Sequence, residues 1–193
     1  MRSKIKEPEV ESVSPGNRQQ WRKWLQKNHT KKDSVWIILH KKESNIPTVA
    51  WSDAVDEALC FGWIDSQRKS IDKEKFMQRF SKRKANSTWS KVNKQKIQRL
   101  TKEGRMTEAG LKVIEVAKQN GSWSILDEVE KLVIPKDLED AFKKKAGSKR
   151  YFLSLSRSKR RVALLGLVLT KRPETRAKRI GEIAEHCAQN LLV

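Results

Sequence analysis

Before about residue 81 the apolar residues alternate between strand and helix spacing, and after it they keep helix spacing almost to the end, which limits the folds open to this chain of 193 residues. SVWIILHKK is dense in β-branched and aromatic residues and reads as a strand. Residues 63–81 read as a hairpin, WIDSQRKSID and KEKFMQRFS, with a turn near Asp72-Lys73 and Phe76, Gln78 and Phe80 in two-residue alternation. Two helices interrupt this β region. Ser14 and Pro15 read as the N-cap and first residue of one, which puts Trp21, Trp24 and Leu25 on a single face. Ser52 reads as the N-cap of the other, with Val55, Ala58 and Leu59 inward and Gly62 ending it in a left-handed cap.

After residue 81 the apolar residues recur at three and four. Ser90 starts a helix that reaches Leu100 and closes at Gly104, and Thr107 starts another that closes at Gly121. A short helix near Ile125 to Leu132 stops before Pro135, and one over Asp137 to Ala146 ends at Gly147. RRVALLGLVL and, after Pro173, ETRAKRIGEIAEHCAQN supply the last two, with Ile180, Ile183, Ala184 and Cys187 as an apolar stripe. The class is α+β: a small antiparallel sheet with flanking helices, followed by a helical C-terminal part. The expected division is a disordered tail over 1–13, an α+β core over 14–105 and a helical region over 106–193. Trp36, Ile38, Leu59, Trp63, Phe80 and Trp89 are expected in one core.

Charge is blocked rather than scattered. The net charge is +20; residues 61–105 carry 14 Lys/Arg against 4 Asp/Glu, and residues 143–179 carry 14 against 1. Residues 108–140, between them, carry 4 against 8. Two basic blocks attract phosphates or acidic partners, or else form a basic, solvated surface. No apolar run approaches the roughly 18 residues of a membrane span. The N-terminus has no apolar secretory core, so the expected location is cytoplasmic and the two cysteines, Cys60 and Cys187, are expected as free thiols. No cysteine or histidine spacing predicts a metal site, and no motif predicts a cofactor.

Several separated motifs carry a family resemblance: ALCFGWIDS, QRFSKRKANSTWSKVN, LTKEGRMTEAG, and FLSLSRSKRR followed by KRPETRAKRI. In this order, from about Trp21 to Asn190, the chain resembles the YdeI/OmpD-associated (bacteriocin-protection) family. It departs from the family pattern at Lys82, where Pro is usual, and at Leu165-Gly166-Leu167, where an aromatic is usual. The resemblance implies a role in tolerance of bacteriocins or envelope stress through contacts with a protein partner, and implies no reaction.

SKRKANSTWS is a basic, hydroxyl-rich loop leading into a helix N-terminus, where free N–H groups and the helix dipole favour anions. Arg79, Lys82, Arg83, Lys84, Ser87, Trp89 and Ser90 are therefore the candidate site for phosphate or another anion. Helix capping by Ser87 or Ser90 and packing of Trp89 explain the same residues structurally. Asp65 and Ser66 form a second polar candidate, with Arg68, Arg79 or Arg83 as the partner of Asp65. Arg176 and Arg179 are a third, where a charged helix start is the simpler reading.

Catalysis has little support. Cys60 lies near a helix C-terminus, which disfavours its thiolate, and His29, His40 and His186 are scattered. Three functions follow in order: a non-enzymatic protection protein, a nucleic-acid binder using the basic blocks and tryptophans, and an enzyme on a small anion near Asp65, Arg79 and Arg83.

Overall fold

The computed structural model of the chain describes residues 11–190. These form two compact units, one of residues up to Ser87 with Val92–Ser122, the other of Thr88–Lys91 with residues from Trp123 onward. The boundary after Ser122 falls later in the chain than the expected one at 105. The first ten residues of the expected tail lie outside the described residues, while Ser12–Val13 form a strand.

The first unit runs β1 (Ser12–Val13), α1 (Arg18–Asn28), β2 (Ser34–His40), a 3₁₀ turn (Lys42–Ser44), α2 (Trp51–Cys60), β3 (Trp63–Ser70), β4 (Lys75–Lys82), α3 (Lys91–Lys102) and α4 (Glu108–Gln119). The four strands lie in the order β1-β2-β4-β3. β2, β4 and β3 are antiparallel, as the hairpin pattern predicts, and β1 adds to β2 in parallel, which makes the sheet mixed. Both early N-caps differ from the expected ones. Asn17 caps α1, its side chain accepting from the Gln20 N–H at 3.0 Å, and Ala50 precedes α2 with no side-chain cap. Thr107 and Gly62 act as expected, Thr107 as N-cap of α4 and Gly62 in the left-handed conformation with φ 74°.

Val35, Ile37 and Leu39 face the helices across from Phe80, Gln78 and Phe76. Trp36 and Ile38, expected in that core, alternate to the other face, because a strand has a period of two. There Trp36 is buried beneath the Lys69 ammonium, 5.3 Å from its ring, and Ile38 is half-buried. An aromatic stack fixes α1 on the sheet: Trp21 lies 5.2 Å from Trp24 and 5.4 Å from Phe80, and Trp24 meets Trp63 edge-on at 5.9 Å. The Trp21 indole, fully buried, donates to the Ala54 carbonyl of α2 at 3.0 Å, as a buried donor must.

The second unit contains α5 (Asp127–Glu130), α6 (Lys136–Lys143), α7 (Ser148–Ser154), α8 (Arg157–Val168) and α9 (Pro173–Ala188). The α7 helix was not expected from the sequence, since its one fully buried aromatic, Phe152, gives no repeat to read. Phe142 and Phe152 meet at 5.3 Å amid Leu138, Leu164, Leu167, Ile180 and Cys187. Trp89 is buried and packs against Trp123 of the same unit, 5.0 Å between ring centres.

Candidate functional site: a cationic pocket in the first unit

One junction positions the pocket. The Cys60 carbonyl, at the end of α2, accepts from both the backbone N–H (3.1 Å) and the hydroxyl (2.6 Å) of Thr107. The same residue caps α4, so one side chain joins two helix ends. Gly110 lets α4 approach this closely: a Cβ there would lie 2.2 Å from the Cys60 oxygen. Beyond the junction Gly62 turns the chain into β3, and its carbonyl accepts from the Arg83 N–H at 3.0 Å. The result is a pocket of about 380 Å³ whose base is Phe61, Gly62, Trp63 and Val113.

His29, Lys82, Arg83 and Lys112 stand around that base. A neighbouring depression of about 340 Å³ shares His29, Ala109 and Lys112 with it. The His29 ring leans on Phe61 at 5.1 Å, with Nδ1 2.9 Å from the Leu25 carbonyl. That contact requires a proton on Nδ1, which leaves Nε2 as the nitrogen available to a ligand. Lys82 reaches the Thr30 carbonyl at 2.9 Å and the Asp33 carboxylate at 3.0 Å, a pair open to solvent. Arg83 is 8% exposed, and burial pushes its guanidinium down to about 10 against the opposing pull of Asp65. Burial likewise pushes Asp65 above the usual carboxylate range, with a hydrogen bond from the Trp51 side chain and the charges of Lys96 and Arg83 working the other way.

Of the three partners expected for Asp65, Arg83 is the one whose charge reaches it. Arg68 lies 3.7 Å over the Phe76 ring, and Arg79 donates to the Ser34 hydroxyl at 3.2 Å. Ser66 is exposed, within the bulge that shifts the β3 register between Asp65 and Arg68. Lys84 is exposed and Ser87 half-buried in the turn between them, where the Ser87 N–H meets the Lys84 carbonyl at 2.9 Å. Trp89 and Ser90 belong to the second unit. So do Arg176 and Arg179, whose guanidinium groups tie α9 to its own unit. Arg176 forks onto Asp137 at 2.7 and 3.1 Å and donates to the Leu167 carbonyl, while Arg179 reaches the Gly166 carbonyl and the Thr170 hydroxyl.

Sequence reasoning missed a buried polar network of the first unit whose arginines, Arg18, Arg22 and Arg105, line a second depression. Glu57 is fully buried on α2, and its carboxylate takes Arg18 Nε at 2.5 Å, Arg22 Nη1 at 2.6 Å and Arg105 Nη2. Asp56, 3% exposed, takes Lys96 at 2.6 Å and Arg99. Burial opposes the ionisation of both acids, but the hydrogen-bonded cations outweigh it and hold each below the usual carboxylate range. The available signal was the position of Asp56-Glu57 inside VDEALC, an otherwise apolar helical turn. Cys60 is also buried, and burial first and Glu57 second push its thiol up. Among the described residues no three His, Cys, Asp or Glu side chains come together to hold a metal ion. No helix there is long and apolar enough to cross a membrane.

Residues 131–190 match the family model described as "Bacteriocin-protection, YdeI or OmpD-Associated". The expected resemblance is thus shown for the C-terminal segment, while the motifs around ALCFGWIDS and LTKEGRMTEAG fall under a different model. No curated protein and no solved structure matches the chain. That other model spans residues 13–113, more than half of the sequence and all of the pocket, and by it the chain belongs to the family described as "Domain of unknown function (DUF8412)".

Proposed function

We propose that the chain is a non-enzymatic binding protein whose first unit captures an acidic group, phosphate or carboxylate, carried by a protein partner. The observation that carries this reading is the pocket over Phe61 and Trp63, in which Lys82, Arg83, Lys112 and His29 surround an apolar base. A cation held in a poorly hydrated wall interacts with an anion more strongly than one in open water. The aromatic base excludes water from one side of the bound group. The chemistry of covalent catalysis has less support, because Cys60 is buried with its thiol pushed up. The C-terminal likeness to a bacteriocin-protection family supports a protective role through partner contacts.

The test is calorimetric titration of the whole chain with inorganic phosphate and with an oligoglutamate peptide. Saturable binding of either is expected, and Lys112→Ala should weaken it by about tenfold, the worth of one charge-assisted contact. Absence of saturation with both, or binding indifferent to Lys112→Ala and Lys82→Ala, would sink the reading.

A second reading rests on a different observation, the 14 Lys/Arg against 1 Asp/Glu in residues 143–179 of the second unit. Polyanion binding there, nucleic acid included, would fall with salt at a slope of about −0.9 per phosphate neutralised on duplex DNA. Oligonucleotide affinity unchanged by salt would exclude it.

A further inference from the structure

A third pocket, of about 450 Å³, lies in the first unit where β2 ends and α2 begins. Its volume is in the range of small-molecule sites, and its lining follows their usual pattern, apolar with a few polar groups. Val49 and Phe76 supply buried and half-buried apolar surface, and Ile46 and Trp51 stand at its rim, 48% and 50% exposed. These two large hydrophobic side chains leave apolar surface open to water beside one concavity.

The lysines at this pocket give its lining one sign of charge. Lys41 and Lys42 line it, and neither ammonium lies in an ion pair among the described residues. Helix α2, ten residues long, starts at the pocket wall with Trp51, and the preceding Ala50 offers its first N–H groups no side-chain cap. The carboxylate in that first turn, Asp53, is turned to Arg18 at 3.2 Å. His40 is held in place by its N–H, 3.3 Å from the Thr48 hydroxyl, and its ring Nδ1 is buried without a hydrogen-bond partner among the described residues.

We infer that this pocket binds a small aromatic carboxylate, its ring between Trp51, Ile46 and Phe76 and its acid toward Lys41, Lys42 and the start of α2. The apolar walls select a flat, uncharged body, and the two lysines with the helix dipole select a negative head. A fully apolar ligand would leave both ammonium groups unused, and a bare phosphate would leave the aromatic rim open. The site is separate in its residues from the pocket of His29, Lys82, Arg83 and Lys112.

The experiment is titration of the whole chain with 2-naphthoate and with 2-naphthalenemethanol, the neutral relative of the same shape. Saturable binding of the acid is expected, with the alcohol weaker by about tenfold, as the loss of a charge-assisted contact predicts. The Lys41→Ala/Lys42→Ala pair should weaken naphthoate to the level of the alcohol, and Ile46→Asp, at an exposed rim position, should weaken both probes. Lys178→Ala, at an exposed lysine of α9 outside both pockets, should leave both unchanged and controls for the loss of positive charge alone. Equal binding of acid and alcohol, naphthoate binding that survives the double lysine variant, or no saturation at millimolar concentration would each overturn the inference.

Discussion

The two units handle charge in opposite ways. In the first, acids are buried and cations are drawn in to meet them: Glu57 is fully buried under three arginines, and Asp56 under Lys96 and Arg99. In the second, the buried cluster is aliphatic and aromatic, and the pairs Lys145–Glu185, Lys149–Glu139 and Arg176–Asp137 lie at its surface. A buried ion pair is weak ground for stability, since desolvation consumes most of the attraction, yet removing one partner is costly because the other is left unpaired. The first unit is therefore expected to be brittle toward single charge changes and the second tolerant of them. Binding surfaces built beside such a network inherit its rigidity, which suits the pocket of the first unit to a fixed ligand geometry.

The largest test of that contrast is Glu57→Ala. It takes the carboxylate from Arg22 and Arg105 and leaves Arg18 only Asp53 and Asp56, and the expected loss is about 3–5 kcal/mol, read by urea unfolding with hydrogen exchange resolved along the chain so that each unit is followed separately. The pH dependence has a definite sign. Glu57 and Asp56 are held below the usual carboxylate range in the folded chain, so their stabilisation is present above the unfolded pKa and lost as pH falls through the folded one. The first unit should weaken from about pH 4 downward, and Glu57→Gln should flatten that slope. An unchanged acid profile in Glu57→Gln would remove the network from the account.

A pair of glycines sharpens the contrast through packing. At Gly110 in the first unit, an added Cβ meets the Cys60 carbonyl oxygen at 2.2 Å, and that oxygen is backbone already held by Thr107. Gly110→Ala should cost about 1–3 kcal/mol as overpacking and should disturb the pocket that α4 walls. Gly181, within α9 of the second unit, has nothing within 4 Å of its added Cβ. Gly181→Ala should stabilise by about 0.5–1 kcal/mol, the helix-interior cost of glycine. Thermal midpoints moving in the same direction would break the proposed difference in how tightly the two units are built.

Much of the scaffold of the pocket was legible in the sequence, and most of its chemistry was not. Period and punctuation marked β2, the β3–β4 hairpin, the end of α2 at Gly62 and the start of α4 at Thr107, since these are local signals. The helix starts at Ser14 and Ser52 were misplaced because Asn17 and Ala50 have the extended backbone that precedes a helix, whatever the hydroxyl nearby suggests. Lys82 and Arg83 could be singled out because they sit in one basic run. His29, the residue after α1, and Lys112 of α4 could not, because only tertiary packing brings them to that run. The partner of Asp65 was narrowed to three arginines, and the sheet register then separated them, with Arg68 over Phe76 and Arg79 beside Ser34.

The smallest effect belongs to the second unit. Asp137 sits in the first turn of α6, where its charge also favours the helix N-terminus, and Arg176 clasps it at 2.7 and 3.1 Å. The hydrogen bonds from Arg176 hold its carboxyl below the usual range despite some burial. Its side chain is 44% exposed, however, so water and salt screen most of that attraction. Asp137→Asn keeps an oxygen for Arg176, and Arg176 keeps the Leu167 carbonyl at 2.7 Å. The expected loss is below about 1 kcal/mol and should shrink further at high salt. A loss approaching that of Glu57→Ala would mean that the second unit also depends on single charges, and the division between a charge-brittle and a charge-tolerant unit would fall.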